Sequence, residues 1–314
     1  MTTAPALPGA EPRAQAARQP RLRAVLREQL RATGVGLRTL LLVAAALAIV
    51  ATILLAFQIT RGDLLIKPHS EPSSLPGAIG ALLAVAVWAR EERFGPGFLW
   101  TLPVDRSRHA LMKSLAGWLW LMGGVALFAV CQLVLTLVSG GRVLPVATLQ
   151  LLAAPVSDLD RVDPAALRAV RWAPGAIVWL VPFVGATASY LLVSAFMLGI
   201  RRPLRWVVGA LLLFLVASFA SDVASRLLGV GWLEDAPTRA ASMLVEGRYG
   251  LESLLTLRTW SLDTRAVLTT GERIQVWSAL PDLAAWRIAA LLWTGAGLLA
   301  LWAAAWRHRE RRRA

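Results

Sequence analysis

Long apolar runs that no charge interrupts restrict this chain more than any other feature. Crossing the hydrocarbon core of a bilayer takes roughly 17–25 mostly apolar residues in a helix. Segments 39–57, 114–138, 174–200 and 288–306 meet that requirement. A fifth run opens at Trp206, carries no charge to Ala220, and continues in helical register to about residue 230 across Ser221, Asp222 and Arg226. A sixth, Gly77–Ala89, is short. It spans only if the preceding stretch contributes, giving a span of about 70–89, or if the bilayer thins locally. The expected fold is therefore an all-α integral membrane protein with six transmembrane helices.

Charge sides with six. The chain is 57% hydrophobic and only 17% charged, and its net charge is +14. A soluble domain carries about 25% charged residues. With six spans, segments 1–38, 90–113, 201–205 and 307–314 lie on one side and hold 20 of the 33 basic but only six of the 19 acidic residues. The whole surplus sits on one face, which the positive-inside rule makes cytoplasmic, with both termini there. A charge so distributed is a topology signal and not a nucleic-acid surface. Arginine supplies 31 of the basic residues and asparagine is absent, which reads as a GC-rich bacterial coding bias and places the protein in a bacterial inner membrane. Trp88, Trp206, Trp302 and Trp306 fall at the cytoplasmic ends of spans, and Trp172 and Trp286 near the opposite ends, as an aromatic belt requires. The basic leader is too long for a signal peptide, so the first span is expected to remain as an anchor.

Residues 1–20 have no apolar period and are expected to be a disordered tail, with 21–314 forming one transmembrane domain. From Arg21, Leu22, Val25, Leu26 and Leu30 recur at helical spacing among arginines. This pattern predicts an amphipathic helix in the headgroup region, leading into the first span. Asp163-Pro164 marks the start of a short helix, Asp as N-cap and Pro at the first helical position. Segment 231–287 is too interrupted to span; its apolar pieces 251–257 and 274–280 allow a partly membrane-dipping or interfacial pair of short helices, or an ordinary external loop.

Much chemistry is missing. Neither lysine stands in a phosphate-cradling G-x-x-x-x-G-K-[ST] loop, and the three histidines occupy three different segments without zinc-ligand spacing. No catalytic residue, cofactor site or metal site is expected on this chain. The single cysteine, Cys131, excludes an intrachain disulfide. Inside the spans only Asp222 and Arg226 form an ionisable pair, at i,i+4. Such a pair is either a functional polar site or a snorkelling pair at a helix end.

The informative stretch is 90–116. Phe98, Leu99 and Leu102 lie on one face of a short helix that Pro103 ends, and Asp105 can cap a second helix carrying Arg106, Arg108 and Lys113 into the third span. An apolar face on a cytoplasmic loop needs cover, from lipid headgroups or from a groove on a soluble partner. Glu91 and Glu92, Gly95, Phe98 and Leu99, Leu102-Pro103-Val104, Arg106 and Lys113 together resemble the loop between the second and third spans in permease subunits of ABC transporters of the type-2 exporter class. Pro96 stands where that family usually has Thr.

The resemblance implies a cytoplasmic coupling helix in this loop that docks on a separate ATPase subunit. It also implies two copies of that ATPase, which carry the ATP and Mg, and a second permease subunit, identical or homologous, completing the pathway. Membrane lipid is the remaining partner, and no nucleic acid is expected. A membrane scaffold recruiting a cytoplasmic partner through the same loop is the alternative. An intramembrane enzyme is a poorer one, since the spans offer almost no convergent polar groups.

Overall fold

The computed structural model describes residues 22–61, 74–89, 106–144, 146–152, 161–200, 202–228, 236–257, 263–277 and 280–310. The expected tail, 1–20, lies outside them. The described chain is mostly helix. Helix α1 is Leu22–Arg61, α2 is Leu75–Ala89 and α3 is Arg106–Val138. After two strands come α4 (Ile177–Gly199), α5 (Pro203–Leu228), α6 (Ala236–Val245) and α7 (Leu251–Thr256). Two further strands precede α8, Leu283–Glu310. Among the described residues, four helical stretches are long and apolar enough to cross a bilayer: Ala24–Arg61, Ser107–Val138, Ile177–Gly199 and Leu283–Arg307. Leu75–Trp88 and Arg205–Ser221 are apolar but shorter.

Helix α4 is the hub. It packs against α2 on one side and α8 on another, with α3 also against it, while α1 lies along α3. Small residues permit this. The backbones of α2 and α4 approach so closely at Gly80 that a Cβ there would collide with the Ala186 carbonyl. At Gly297 on α8, a Cβ would come within 2.8 Å of the Leu191 side chain. In lipid, where apolar side chains gain nothing by leaving solvent, such close contact is what holds helices together. The main cluster, with Leu83, Val87, Trp88, Leu121, Tyr190 and Leu301 in it, sits where these four helices meet.

The leader and the first span are one continuous helix of 40 residues, about 60 Å long at the usual rise. No proline interrupts it. The last turns of the leader pack on α3: Thr33 and Leu37 are buried, and a Cβ at Gly34 would lie 2.7 Å from the Trp120 ring. Val25, Leu26 and Leu30 of the predicted stripe are half-buried.

The described chain is mostly helix, in keeping with the all-α reading, and beside the helices lies a small sheet which that reading did not include. Four strands, β1 (Ala147–Leu152), β2 (Leu167–Trp172), β3 (Asp263–Val267) and β4 (Arg273–Trp277), form one sheet in the order β2-β1-β4-β3. The two outer pairs are antiparallel hairpins. The middle seam is parallel and short, Gln150 beside Val276 and Leu151 beside Trp277. Apolar clusters flank it: Leu149, Leu151, Trp172 and Trp277 on one face, Val162, Ala266, Val276 and Leu152 on the other. Alternation explains the difference from expectation. Ile274 and Val276 interleave with Arg273 and Gln275, a period of two that suits a strand and neither the short helix nor the plain loop that the apolar piece 274–280 allows. Gly271, at φ +85, closes the β3–β4 turn in a conformation that favours glycine. Asp163 does cap its turn, accepting from the Ala165 N–H at 2.9 Å, but the helix is only a three-residue 3-10 turn that passes directly into β2.

Helix α7 does fall on the predicted 251–257 piece, and it fills a gap. Fifteen residues make α2 about 22 Å long, short of the ~30 Å hydrocarbon thickness. Leu255 of α7 lies over the start of α2: a Cβ at Gly77 would meet its side chain at 2.5 Å, and one at Gly185 of α4 would meet it at 2.9 Å. Leu257 ends α7 in the left-handed region at φ 58, a cost of roughly 1–2 kcal/mol for a residue with a Cβ. Burying its side chain against Val178, Val181 and Trp286 offsets that.

Candidate functional site

The site suggested by the sequence lies at the end of the bundle where α2 stops at Ala89 and α3 starts at Arg106. Glu91, Glu92, Gly95, Phe98, Leu99, Leu102 and Pro103 lie outside the described residues. Arg106 opens α3 as expected, and Lys113 lies two turns further along. The Lys113 ammonium sits 5.1 Å from the centre of the Trp88 ring, near the end of α2. A cation over an indole face is attracted by the ring quadrupole, worth about 0.5–2 kcal/mol depending on exposure. Trp88 itself is buried, so this contact ties the start of α3 to the last turn of α2.

Four further ties hold the same end of α3, and the sequence did not point to them. The buried Tyr190 hydroxyl of α4 donates to the Ser114 carbonyl at 2.9 Å. Room for it comes from Gly117, where any Cβ would collide with that hydroxyl. Trp118 donates its indole N–H to Thr187 Oγ1 of α4 at 3.1 Å, and Thr187 in turn donates to the Phe183 carbonyl at 2.7 Å. On the opposite side Trp120 donates to the Leu30 carbonyl of α1 at 3.2 Å, and the Gln29 amide lies 3.4 Å from His109 Nδ1. The first turns of α3 are thus fastened to α2, α4 and α1 together.

One signal was available. Trp118, Trp120 and Gly117 lie within four residues at the head of the third span, and both indole N–H groups need acceptors once they leave water. Which acceptors they find depends on Thr187 and Leu30, distant in sequence.

The second candidate, Asp222 and Arg226, falls one turn apart on α5, the spacing that lets two side chains meet on one helix. Among the described residues α5 packs only on α6 to any extent, so this pair is remote from the ties around α3. No group of three or more potential metal ligands occurs among the described residues, and Cys131 is a free, half-buried thiol on α3. In comparisons with protein families, curated proteins and solved structures, nothing matches the chain.

Proposed function

We propose that this chain is the membrane-spanning permease subunit of an ATP-driven exporter of the ABC type-2 class. In this reading α1, α2, α3, α4, α5 and α8 supply six spans, both termini are cytoplasmic, and the sheet stands on the outer side of a bacterial inner membrane. A second permease subunit, identical or homologous, completes the pathway, and two copies of a separate ATPase dock on the two subunits' loops, here residues 91–106. The observation that carries the reading is the 91–106 pattern, an acidic pair followed by an apolar face, Leu102-Pro103-Val104 and Arg106, set in the connection that leads into the first turn of α3. Support comes from the fastening of that turn to three neighbouring helices. ATP-driven movement of a docked partner would pass through α3 into α2, α4 and α1. A partner shifts such an equilibrium only by binding its two states differently. Glu91, Glu92, Phe98, Leu99, Leu102 and Arg106 would make that differential contact.

The test is purification of the tagged protein from its host in mild detergent, followed by assay for co-purifying ATPase activity. A soluble ATPase in about equal stoichiometry, lost on Leu102→Asp or on charge reversal at Glu91 and Glu92 while membrane insertion persists, is the expected result. A preparation with no nucleotide-binding partner, even after cross-linking, would overturn the transporter reading in favour of a scaffold.

A further inference from the structure

Helices α1 and α3 lie side by side and run the same way. Gln29 meets His109 first, and Leu30 and Gly34 meet Trp120 further along. Each helix turns one flank to the bundle there. Thr33 and Leu37 of α1 are buried, as are Ser114, Ala116 and Leu121 of α3. The opposite flanks are open, and between them runs a trough whose chemistry changes along its length.

At 3.6 residues per turn, Arg27, Arg31 and Arg38 fall within about 40° of one another on the open flank of α1. All three are exposed. Glu28 lies outside that sector, and among the described residues none of the three arginines is in an ion pair. Arg38 is the last charge before the uncharged stretch 39–60. From there the same flank is apolar, with Leu42 and Ile49 exposed. Across the trough α3 shows Leu115 and Leu119, and one turn on a Cβ at Gly123 would meet nothing within 4 Å. Trp120 stands where basic gives way to apolar. Its N–H is taken by the Leu30 carbonyl, and its ring is 39% exposed. An indole favours such a boundary.

We propose that this trough binds an anionic phospholipid. Arg31 and Arg38 hold its phosphate, with Arg27 behind them, the glycerol lies beside Trp120, and an acyl chain runs over Gly123 between Leu42 and Leu119. The sequence of charge and then hydrocarbon along the trough is that of the lipid itself. An acidic protein segment would match the arginines but not the apolar length beyond them, where a peptide backbone finds no hydrogen-bond partner. A second copy seated here across a two-fold axis would set arginine against arginine. The proposal rests on the chain being membrane-embedded and is independent of the ATPase and of what is transported.

Native mass spectrometry tests it on the full chain, purified from membranes, delipidated in detergent and titrated with palmitoyl-oleoyl phosphatidylglycerol or the matching phosphatidylcholine. The first phosphatidylglycerol is expected to bind more tightly than the first phosphatidylcholine. Arg31→Gln with Arg38→Gln should weaken it roughly tenfold and leave phosphatidylcholine unchanged. Gly123→Leu, which fills the trough with every charge in place, should weaken phosphatidylglycerol too. Arg142→Gln with Arg273→Gln, exposed arginines away from the trough, should bind as the parent does. Equal affinity of the parent for both lipids would overturn the proposal, as would an unchanged affinity in the Arg31 and Arg38 variant. An equal loss in the Arg142 and Arg273 variant would mean diffuse attraction to charge and no site. Indifference to Gly123→Leu would mean a headgroup contact without a trough and would overturn it as well. Release of the parent from membranes by alkaline carbonate would sink membrane embedding itself, a failure distinct from these.

Discussion

Helices α4 and α5 are alike as sequence and opposite as structure. They have 23 and 26 residues, both strongly apolar, and both read as spans. Yet α4 buries residues around most of its circumference, Val181, Ala186, Ala188, Tyr190, Ser194 and Leu198 among them. By contrast, α5 leaves Val207, Leu211, Leu213, Leu215 and Phe219 exposed on every side. Hydropathy places a helix in a bilayer and says little about what it touches there. The difference lies in small residues. Gly185, Ala186, Ala188, Ser194 and Ala195 let neighbours reach the α4 backbone, whereas a Cβ at Gly209 of α5 would meet nothing within 4 Å. Without a hydrophobic force between helices in lipid, close approach decides who packs with whom.

That contrast can be broken most directly at glycine. Gly80→Val drives a side chain into the Ala186 carbonyl and is expected to abolish a folded, monodisperse preparation on size-exclusion chromatography. Gly209→Val, on the unpacked helix, should elute as the parent does. Equal behaviour of the two would mean that α4 is not the hub.

Next in size is the tie between α3 and α4. Gly117→Ala collides with the Tyr190 hydroxyl, which cannot retreat because its residue is fully buried, so the variant should melt well below the parent. Tyr190→Phe alone loses one hydrogen bond and should cost about 1 kcal/mol. Adding it to Gly117→Ala should recover part of the loss, because removing the hydroxyl makes room for the methyl. Strict additivity in that cycle would refute direct contact.

A smaller effect is expected at Trp293→Phe, which keeps the ring packing but loses the donor to Tyr249. Amide exchange should quicken across 246–257 and stay unchanged in α1 and α3. Uniform quickening would mean that the 246–257 segment, held by the 2.8 Å bond from Trp293 to the Tyr249 carbonyl, is not a separate element.

The smallest effect is electrostatic, at the start of α8. Asp282 accepts from the Ala284 and Ala285 N–H groups at 2.9 and 3.1 Å, and from Arg248. The Arg248 hydrogen bond, first, and those backbone donors hold its carboxyl below the usual carboxylate range. A depressed folded value means that the contribution is complete above the unfolded value of about 3.9 and is lost as pH falls through the folded one. Melting followed from pH 7 to pH 3 should show this loss in the parent and not in Asp282→Ala. Removing the cap should cost about 1 kcal/mol at neutral pH. The exposed Arg248 partner adds little, since solvent screens such pairs.

Sequence reading and structure part company where distant segments meet. The helical stretches at 39–57, 114–138, 174–200 and 288–306 were legible because each is a local apolar run whose length can be compared with the bilayer. The Asp163 cap and the α7 piece were legible for the same reason, since cap and periodicity are properties of neighbours in the chain. In the candidate site, Arg106 and Lys113 stand at the head of a helix as read. Their fastening to Trp88, Tyr190 and Leu30 was not visible, because each partner comes from another span. The β3–β4 hairpin could have been read from the alternation at 273–277 and from Gly271, which invited more weight than its apolar content suggested.

The amino-acid sequence by itself determined that this chain has helices fit for a membrane, a net positive charge carried mostly by arginine and a patterned stretch before α3. These follow from side-chain hydration and local backbone preference, which act without reference to the rest of the fold. Only the tertiary structure decided that α4 is the centre and α5 the margin. It also decided that β1 and β4 meet along a two-residue seam, and that the end of the leader packs on α3. Each of those outcomes depends on a close approach between residues far apart in the chain, and such contacts are settled by shape and donor–acceptor pairing once the helices are side by side.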